Sequence, residues 1–352
     1  KKGGYGSIYL VYEKETHQKY VAKVMQFLRN DEEKMINREI GIMMTVNNPT
    51  LIKIQGFSRI DINNDPNITL IMDYIEKGSL ADVLKEVRCG LGDIEYTNTT
   101  RQIILIGISR GMKYLHDRAI IHRDLSSNNV LIDSQFHPVI TDFGLSKFYN
   151  INDPTNQSFH GGTTQYMAPE VLKELEYDIR ADVYSFGIIM YEVVTDSNPY
   201  PELVDEKMKE SELKKRIIES QYRPTFRSYV KESLKKLITQ CWSDDPNDRP
   251  TFKEIFEKLS SVEDYENNRE KSCFFDDVNI CEIEDYVEDI TKIESPIENL
   301  NKKLDAIEKE NKELTKALDK EKEINAQNEK QINELKATNE QLSKDLGDER
   351  AA

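Results

Sequence analysis

The run "HRDLSSNNVL" (His122–Leu131), with "DFG" (Asp142–Gly144) a short way downstream, lies in a part of the chain whose pattern is mostly helical. That pattern starts at Gly78 and is broken by loops at Pro138, Gly144, Gly161, Gly162, Pro169 and Pro199. Upstream the texture differs. "GSIYLVYE" and "KYVAKVM" alternate and are rich in β-branched and aromatic residues, with polar "KETHQK" between them. "LIKIQGFSRI" and "NITLIMDYI" have the same strand character. Between these pairs "DEEKMINREIGIMMTV" places Met35, Ile36, Glu39, Ile40, Met43 and Met44 at helical spacing, and Pro49 ends it. A small β-rich lobe over residues 1–75 followed by a larger α-rich lobe over 76–260 is α+β in layer terms.

Working outward, the first ten residues are "KKGGYGSIYL". Gly3, Gly4 and Gly6 suit a backbone that approaches a phosphate closely, and they suit an ordinary glycine-rich turn as well. Lys23, in "YVAKV", follows on the next strand, where a two-strand hairpin brings it beside the glycines. A lysine there can hold phosphates as a mobile cation if a counter-charge steadies it. Glu39 sits on the helical face that also carries Ile40 and Met43. A charge beside an apolar face is costly unless it is paired. The alternative for Glu39 is an exposed helix charge.

Taken in order, Lys23, Glu39, "HRDLSSNNVL" and "DFG" resemble a eukaryotic protein kinase over residues 1–260. The resemblance implies a two-lobed kinase fold that uses ATP and Mg2+. It implies that Asp124 accepts the substrate hydroxyl proton, that Lys23 and Glu39 form the phosphate-holding pair, and that Asn129 and Asp142 hold Mg2+. Gly3, Gly4 and Gly6 become the phosphate cradle. Ile8, Val21 and Leu131 match the residues that sandwich adenine. Met72, Asp73 and Ile75 match the linker on the adenine edge, with Met72 guarding the back pocket. "GGTTQYMAPE" (Gly161–Glu170) resembles the segment closing the activation loop. "DVYSFG" (Asp182–Gly187) resembles the buried helix that anchors the catalytic loop. Arg249 is the expected ion-pair partner of Glu170. The wording "KGSL", "DVYSFG" and "CWSDDPNDRPTF" is closest to the tyrosine-kinase-like group, whose members mostly phosphorylate Ser and Thr. Arg123 implies a switch in which a phosphate, best placed on Thr155 or Ser158, joins it.

Departures from the family pattern are informative. Ser126 stands where Ser/Thr kinases usually carry Lys, and Asn128 where tyrosine kinases usually carry Arg. The missing cation predicts slower transfer. Thr163 is expected to tie the peptide-binding loop to Asp124 through its hydroxyl, which favours Ser/Thr over tyrosine or dual specificity. Lys1 stands where the first glycine of the loop is expected, and the strand before it is absent, as at the cut edge of a longer domain.

Composition sets the remaining bounds. Of the net charge of −16, residues 261–352 contribute −12, from 26 acids and 14 bases. This argues against a broad nucleic-acid surface. No apolar run is long enough to span a membrane. Four cysteines without Cys-x-x-Cys spacing read as reduced thiols of a cytoplasmic protein. Residues 261–296 read as an acidic linker. From Ile297, the positions Leu300, Leu304, Ile307, Asn311, Leu314 and Leu318 step by three and four, and the register resumes over Ile332–Leu346. Over 297–346 this argues a coiled coil that dimerises the chain or binds a scaffold. Asn311, Asn325 and Asn339 share the a position. The chain therefore reads as an active kinase of protein substrates. A pseudokinase scaffold acting through the coiled coil is the rival.

Overall fold

A computed structural model describes residues 2–3, 6–25, 40–41, 46–90, 96–142, 147–148, 162–205, 207–261 and 274–292. Gly4, Glu39, Thr155, Ser158 and the 297–346 repeat lie outside the described residues.

The β-rich lobe is a five-stranded antiparallel sheet: β1 (Lys2–Gly3), β2 (Gly6–Tyr12), β3 (Lys19–Met25), β4 (Ile54–Ser58) and β5 (Ile68–Asp73), in the order β1-β2-β3-β5-β4. The sheet opens on a two-residue strand in which Gly3 stands opposite Gly6. Register on the longer strands fixes which side chains share a face. Ile8, Lys23 and Leu70 stand opposite one another across β2, β3 and β5, and Val21 stands opposite Met72. Alternation then carries Val21 and Lys23 to one side and Ala22 and Val24 to the other.

The second lobe follows as α1 (Leu80–Cys89), α2 (Asn98–His116), β6 (Ile120–Ile121), β7 (Val130–Ile132), β8 (Pro138–Ile140) and β9 (Lys147–Phe148). Then come α3 (Pro169–Leu172), α4 (Arg180–Thr195), α5 (Pro201–Val204), α6 (Glu210–Ser220), α7 (Glu232–Cys241), α8 (Phe252–Ser260) and α9 (Ile280–Lys292). Helix α1 starts on a capping box: the Ser79 side chain accepts from the Asp82 N–H, and Asp82 accepts from the Ser79 N–H. It stops at Gly90, whose φ of 62° is left-handed. Helix α8 repeats the device with Thr251 and Glu254. Helices α2 and α4 are buried along nearly their whole length. They read as apolar all round because neighbours cover every face. The lobes meet where Leu51 bridges Ile140: Ile52 N–H donates to Ile140 O and Ile140 N–H donates to Thr50 O, both at 2.8 Å.

Within the 261–296 stretch read as an acidic linker, α9 is a packed helix. Its sequence "ICEIEDYVEDITK" is acidic, but Ile283, Tyr286 and Ile290 recur at steps of three and four and are buried. They pack on the main core. The Tyr286 ring stacks on His137, with ring centroids 4.5 Å apart. A Cβ at Gly107 of α2 would overlap the Tyr286 hydroxyl and the Pro138 ring. Glycine is what lets α9 approach α2 so closely. Asn279 N–H donates to Thr99 Oγ1 at 2.8 Å, fixing the entry to the helix.

Candidate active site

The site is built upward from α4. Asp182, in its first turn, is buried, and its carboxylate receives the backbone N–H groups of His122 and Arg123, both at 2.9 Å. His116 Nε2 lies 2.9 Å from the same carboxylate. Burial pushes the Asp182 carboxyl up. The His116 hydrogen bond, the nearby histidines and the His122 N–H more than offset this, leaving it below the usual range. Arg123 takes a left-handed φ of 71° at this anchor, and its guanidinium lies over the Tyr177 ring. The chain is thereby turned to present Asp124.

Asp124 Oδ2 accepts from Asn129 Nδ2 at 2.9 Å, and the same amide nitrogen donates to the Asp124 backbone carbonyl at 2.8 Å. With its nitrogen so committed, Asn129 offers its amide oxygen as an acceptor-side ligand. Asp124 Oδ1 accepts from Thr163 at 3.2 Å, but the donor is the Thr163 backbone N–H. Sequence reasoning assigned that tie to the hydroxyl; a backbone donor makes it available to any non-proline residue. Burial pushes the Asp124 carboxyl up, and the neighbouring Asp142 charge adds to this.

Asp142 follows β8 with a left-handed φ of 65°. Its Oδ1 lies 3.0 Å from Lys23 Nζ. This contact joins the two lobes at the point where the sequence puts phosphate and metal chemistry. Lys23 is buried, so its charge needs such a partner. Ile8 is 42% exposed, Val21 and Leu131 are half-buried, and Met72 is buried. Ser79 pairs with Leu131 across an isolated bridge, which ties Leu131 to the strip running down from Met72, Asp73 and Ile75. Asp73 accepts from Gln55 Nε2 at 2.6 Å and donates its N–H to Lys53.

The donor set fits Mg2+. A carboxylate (Asp142) and an amide oxygen (Asn129) are hard oxygen ligands. Such a pair matches a cation that completes its shell with phosphates and water.

Farther out, Arg249 meets Glu170 in a two-pronged pair, at 2.6 and 2.8 Å, with both residues buried. Ser126, where a lysine is usual, is buried and its hydroxyl has no hydrogen-bond partner among the described residues, and it brings no charge to the cleft.

Residues 2–259 match the model of the protein kinase domain. The chain belongs to the protein kinase family. Its kinase domain is 33% identical over 246 residues to "Probable serine/threonine-protein kinase drkC" of Dictyostelium discoideum, covering 68% of this chain and 31% of that protein. It is 33% identical over 273 residues to serine/threonine-protein kinase VIK of Arabidopsis thaliana, covering 75% and 58%. It is 30% identical over 275 residues to human receptor-interacting serine/threonine-protein kinase 3, covering 74% and 50%. The chain thus spans less than two thirds of the length of each of these relatives. The kinase domain has the β-sheet and helical lobes of its family, whose chemistry uses ATP and Mg2+.

Sequence reasoning missed one buried row beside the site. Ser127 of the catalytic loop, Tyr166 of the "GGTTQYMAPE" segment and Glu192 of α4 are all buried and hydrogen-bonded in a row, at 2.7 and 2.8 Å. The available signal was Glu192 itself, a charge inside the apolar run "IIMYEVV".

Proposed function

We propose that this chain is an ATP-dependent protein kinase that transfers the γ-phosphoryl group to Ser and Thr hydroxyls of protein substrates. The observation that carries the proposal is the 3.0 Å contact of Lys23 with Asp142, beside the Asp124–Asn129 pair. Asp124 orients the incoming hydroxyl and takes its proton. Its carboxyl, pushed up by burial, is the more basic for it. Lys23 holds the phosphates, with Glu39 as its second counter-charge. Gly3, Gly4 and Gly6 let the backbone approach them, and Ile8, Val21, Leu131 and the strip Met72, Asp73, Ile75 hold the base. Asp142 and Asn129 would hold Mg2+, which supplies neutralisation of phosphate charge when bound. Little covalent work falls to the protein, so positioning and electrostatics supply most of the rate.

Ser/Thr specificity is favoured because the relatives above are named serine/threonine kinases. A pseudokinase is not favoured, because no residue of the catalytic set is replaced. The test is Mg-ATP phosphorylation of casein by the full chain and by Asp142→Asn. Phosphoserine and phosphothreonine are expected from the first and a signal at least about 100-fold lower from the second. Equal signals would remove the catalytic assignment.

Three further assignments go with this reading. The family-matched domain runs to near residue 260, the packed helix α9 follows within 261–296, and a coiled coil over 297–346 pairs two chains or docks a scaffold. Sedimentation giving a monomer mass for the full chain would sink the pairing. Phosphate on Thr155 or Ser158 would engage Arg123, and Thr163 would serve structure rather than regulation. Phosphopeptide mapping of active protein with no occupancy at either site would remove the switch. The protein works in the cytoplasm, which fractionation of cells making the full chain would check. Among the described residues no helix is long and apolar enough to cross a membrane.

A further inference from the structure

The residues that match the kinase domain end at 259, yet the compact unit runs on to Lys292. What is added, among the described residues, is a short strap, 274–279, and helix α9. The strap is fastened at four points. Phe275 is buried in the main core. The Asp276 carbonyl accepts from Asn98 Nδ2 at 2.9 Å, and its carboxylate lies 2.7 Å from Lys231 Nζ. The fourth point is the bond from Asn279 to Thr99. Together they fix where α9 begins against α2.

From there α9 reaches the closed end of the hairpin formed by β7 and β8. The Tyr286 ring stacks on His137 of the turn, with 27° between the ring planes, and its hydroxyl and the Pro138 ring both sit over Gly107. That hydroxyl has no hydrogen-bond partner among the described residues, so the contact is made by the ring. The turn is tightly drawn. Asp133 Oδ1 accepts from the N–H groups of Gln135 and His137, both at 2.8 Å, and Phe136 takes a left-handed φ of 64°. The hairpin then pairs Ile132 with Pro138, Leu131 with Val139 and Val130 with Ile140. Its open end leads directly into Asn129 on one strand and, past Thr141, into Asp142 on the other. Thr141 N–H donates to Asn129 O at 2.9 Å, which joins the two exits.

We propose that His137 and Tyr286 are positioning residues for the metal ligands: α9 sets the closed end of the hairpin, and the hairpin carries that setting to Asn129 and Asp142. The proposal rests on the kinase reading above. Three paired residues on each strand move as one body, so a tilt at the turn shifts both exits. Mg2+ demands near-ideal octahedral geometry, so an error in the placement of its two oxygen ligands is felt when the metal is bound. The base pocket is secured from the other side. Leu131 is bridged by Ser79, and Ile132 exchanges backbone bonds with Lys77 and Gly78, at 3.0 and 2.9 Å. Nucleotide affinity without metal is therefore left nearly alone. A merely structural role would lower the folded fraction and leave the affinity of the folded protein unchanged.

The experiment is calorimetric titration of the full chain with ADP, once with Mg2+ and once with EDTA. His137→Ala removes the stack at a half-buried position. It is expected to weaken Mg-ADP binding about three- to tenfold, while ADP in EDTA stays within about twofold. His137→Phe keeps a ring against Tyr286, gives up the contact with Asp133 and should restore Mg-ADP affinity. Tyr286→Phe drops only the unpartnered hydroxyl and should bind Mg-ADP as tightly as wild type. If a variant is partly unfolded, the stoichiometry of the titration reports it and Kd still decides. Unchanged Mg-ADP affinity in His137→Ala, equal weakening with and without Mg2+, no restoration by His137→Phe, or weakened binding by Tyr286→Phe would overturn the positioning role and leave the kinase reading intact. A wild-type chain that binds no ADP in either buffer would overturn the kinase reading and the positioning role together.

Discussion

The two ends of α4 hold buried carboxyls ten residues apart and treat them in opposite ways. Asp182 is held below the usual carboxylate range, whereas Glu192 is pushed up to about 7. Burial raises both. What separates them is the partner set. Asp182 receives two backbone N–H groups and faces His116. It also sits in the first helical turn, where the helix dipole favours an anion. Glu192 is offered hydroxyls, from Tyr166 and Ser127, and lies near the other end of the helix, where the dipole does not help. Tyr96, Tyr166 and Ser127 face it, with Arg88 of α1 as the cation that lowers it. The difference teaches where the fold keeps a fixed charge. It lies under the catalytic loop, where the backbone must be held, and not under the docking segment, where a row of hydroxyls suffices.

The sharpest way to break this comparison is to remove the fixed charge. Asp182→Ala would leave the His122 and Arg123 N–H groups buried without their acceptor and His116 without its partner. We expect a stability loss of about 3–5 kcal/mol in urea unfolding. The kcat of the folded fraction should fall by about 100-fold, because Arg123 would no longer be held in its left-handed turn beside Asp124. A loss under about 1 kcal/mol would mean that the catalytic loop keeps its shape without α4.

The contrast also marks what the sequence could disclose. The Asp182 anchor under the catalytic loop and the Glu170–Arg249 pair were legible because the kinase pattern places those residue types at given separations. The two-lobed α+β fold was legible from a switch in period from two to 3.6. The row from Ser127 to Tyr166 was not, because a hydrogen bond between hydroxyls 39 residues apart leaves no periodic trace. Helix α9 was hidden differently. Its buried triad Ile283, Tyr286 and Ile290 has helical spacing, but the intervening acids read as linker composition. What makes the triad a core element is the bare surface at Gly107, on another helix. The Thr163 tie was expected from a side chain and is made by the backbone, a substitution of donors that residue identity cannot reveal.

At the other end of α4 the expected effect is smaller and depends on pH. The folded Glu192 carboxyl stands near 7 against 4.5 for a free one, so ionising it works against the fold. Below pH 4.5 it is protonated in both states and has no effect. As pH rises through about 7 the unfolded chain has already lost its proton while the folded chain gives it up reluctantly. The wild type therefore loses about 3 kcal/mol over that window from this group. Glu192→Gln keeps an acceptor for the Tyr166 hydroxyl and removes the titration. The stability of Glu192→Gln relative to wild type should rise by about 3 kcal/mol between pH 4.5 and pH 8, read from urea unfolding at each pH. A difference that stays flat would mean that Glu192 is ionised at little cost and that the two ends of α4 are alike.

The smallest effect comes from the cation that tempers Glu192. Arg88 lies in the last turn of α1, half-buried, and its Nη1 is buried with no hydrogen-bond partner among the described residues. It acts on Glu192 by charge at a distance rather than by a bond. Arg88→Met keeps most of the packing volume and removes that charge. The midpoint of the Glu192-dependent loss of stability should then move to higher pH, with total stability at pH 5 changed by less than about 1 kcal/mol. The same substitution in the Glu192→Gln background should leave the pH profile where it was, because the group that senses the charge is gone. A midpoint that does not move, or one that moves equally in both backgrounds, would assign the raised Glu192 carboxyl to burial alone. It would also leave Arg88 no part in the difference between the two ends of the helix.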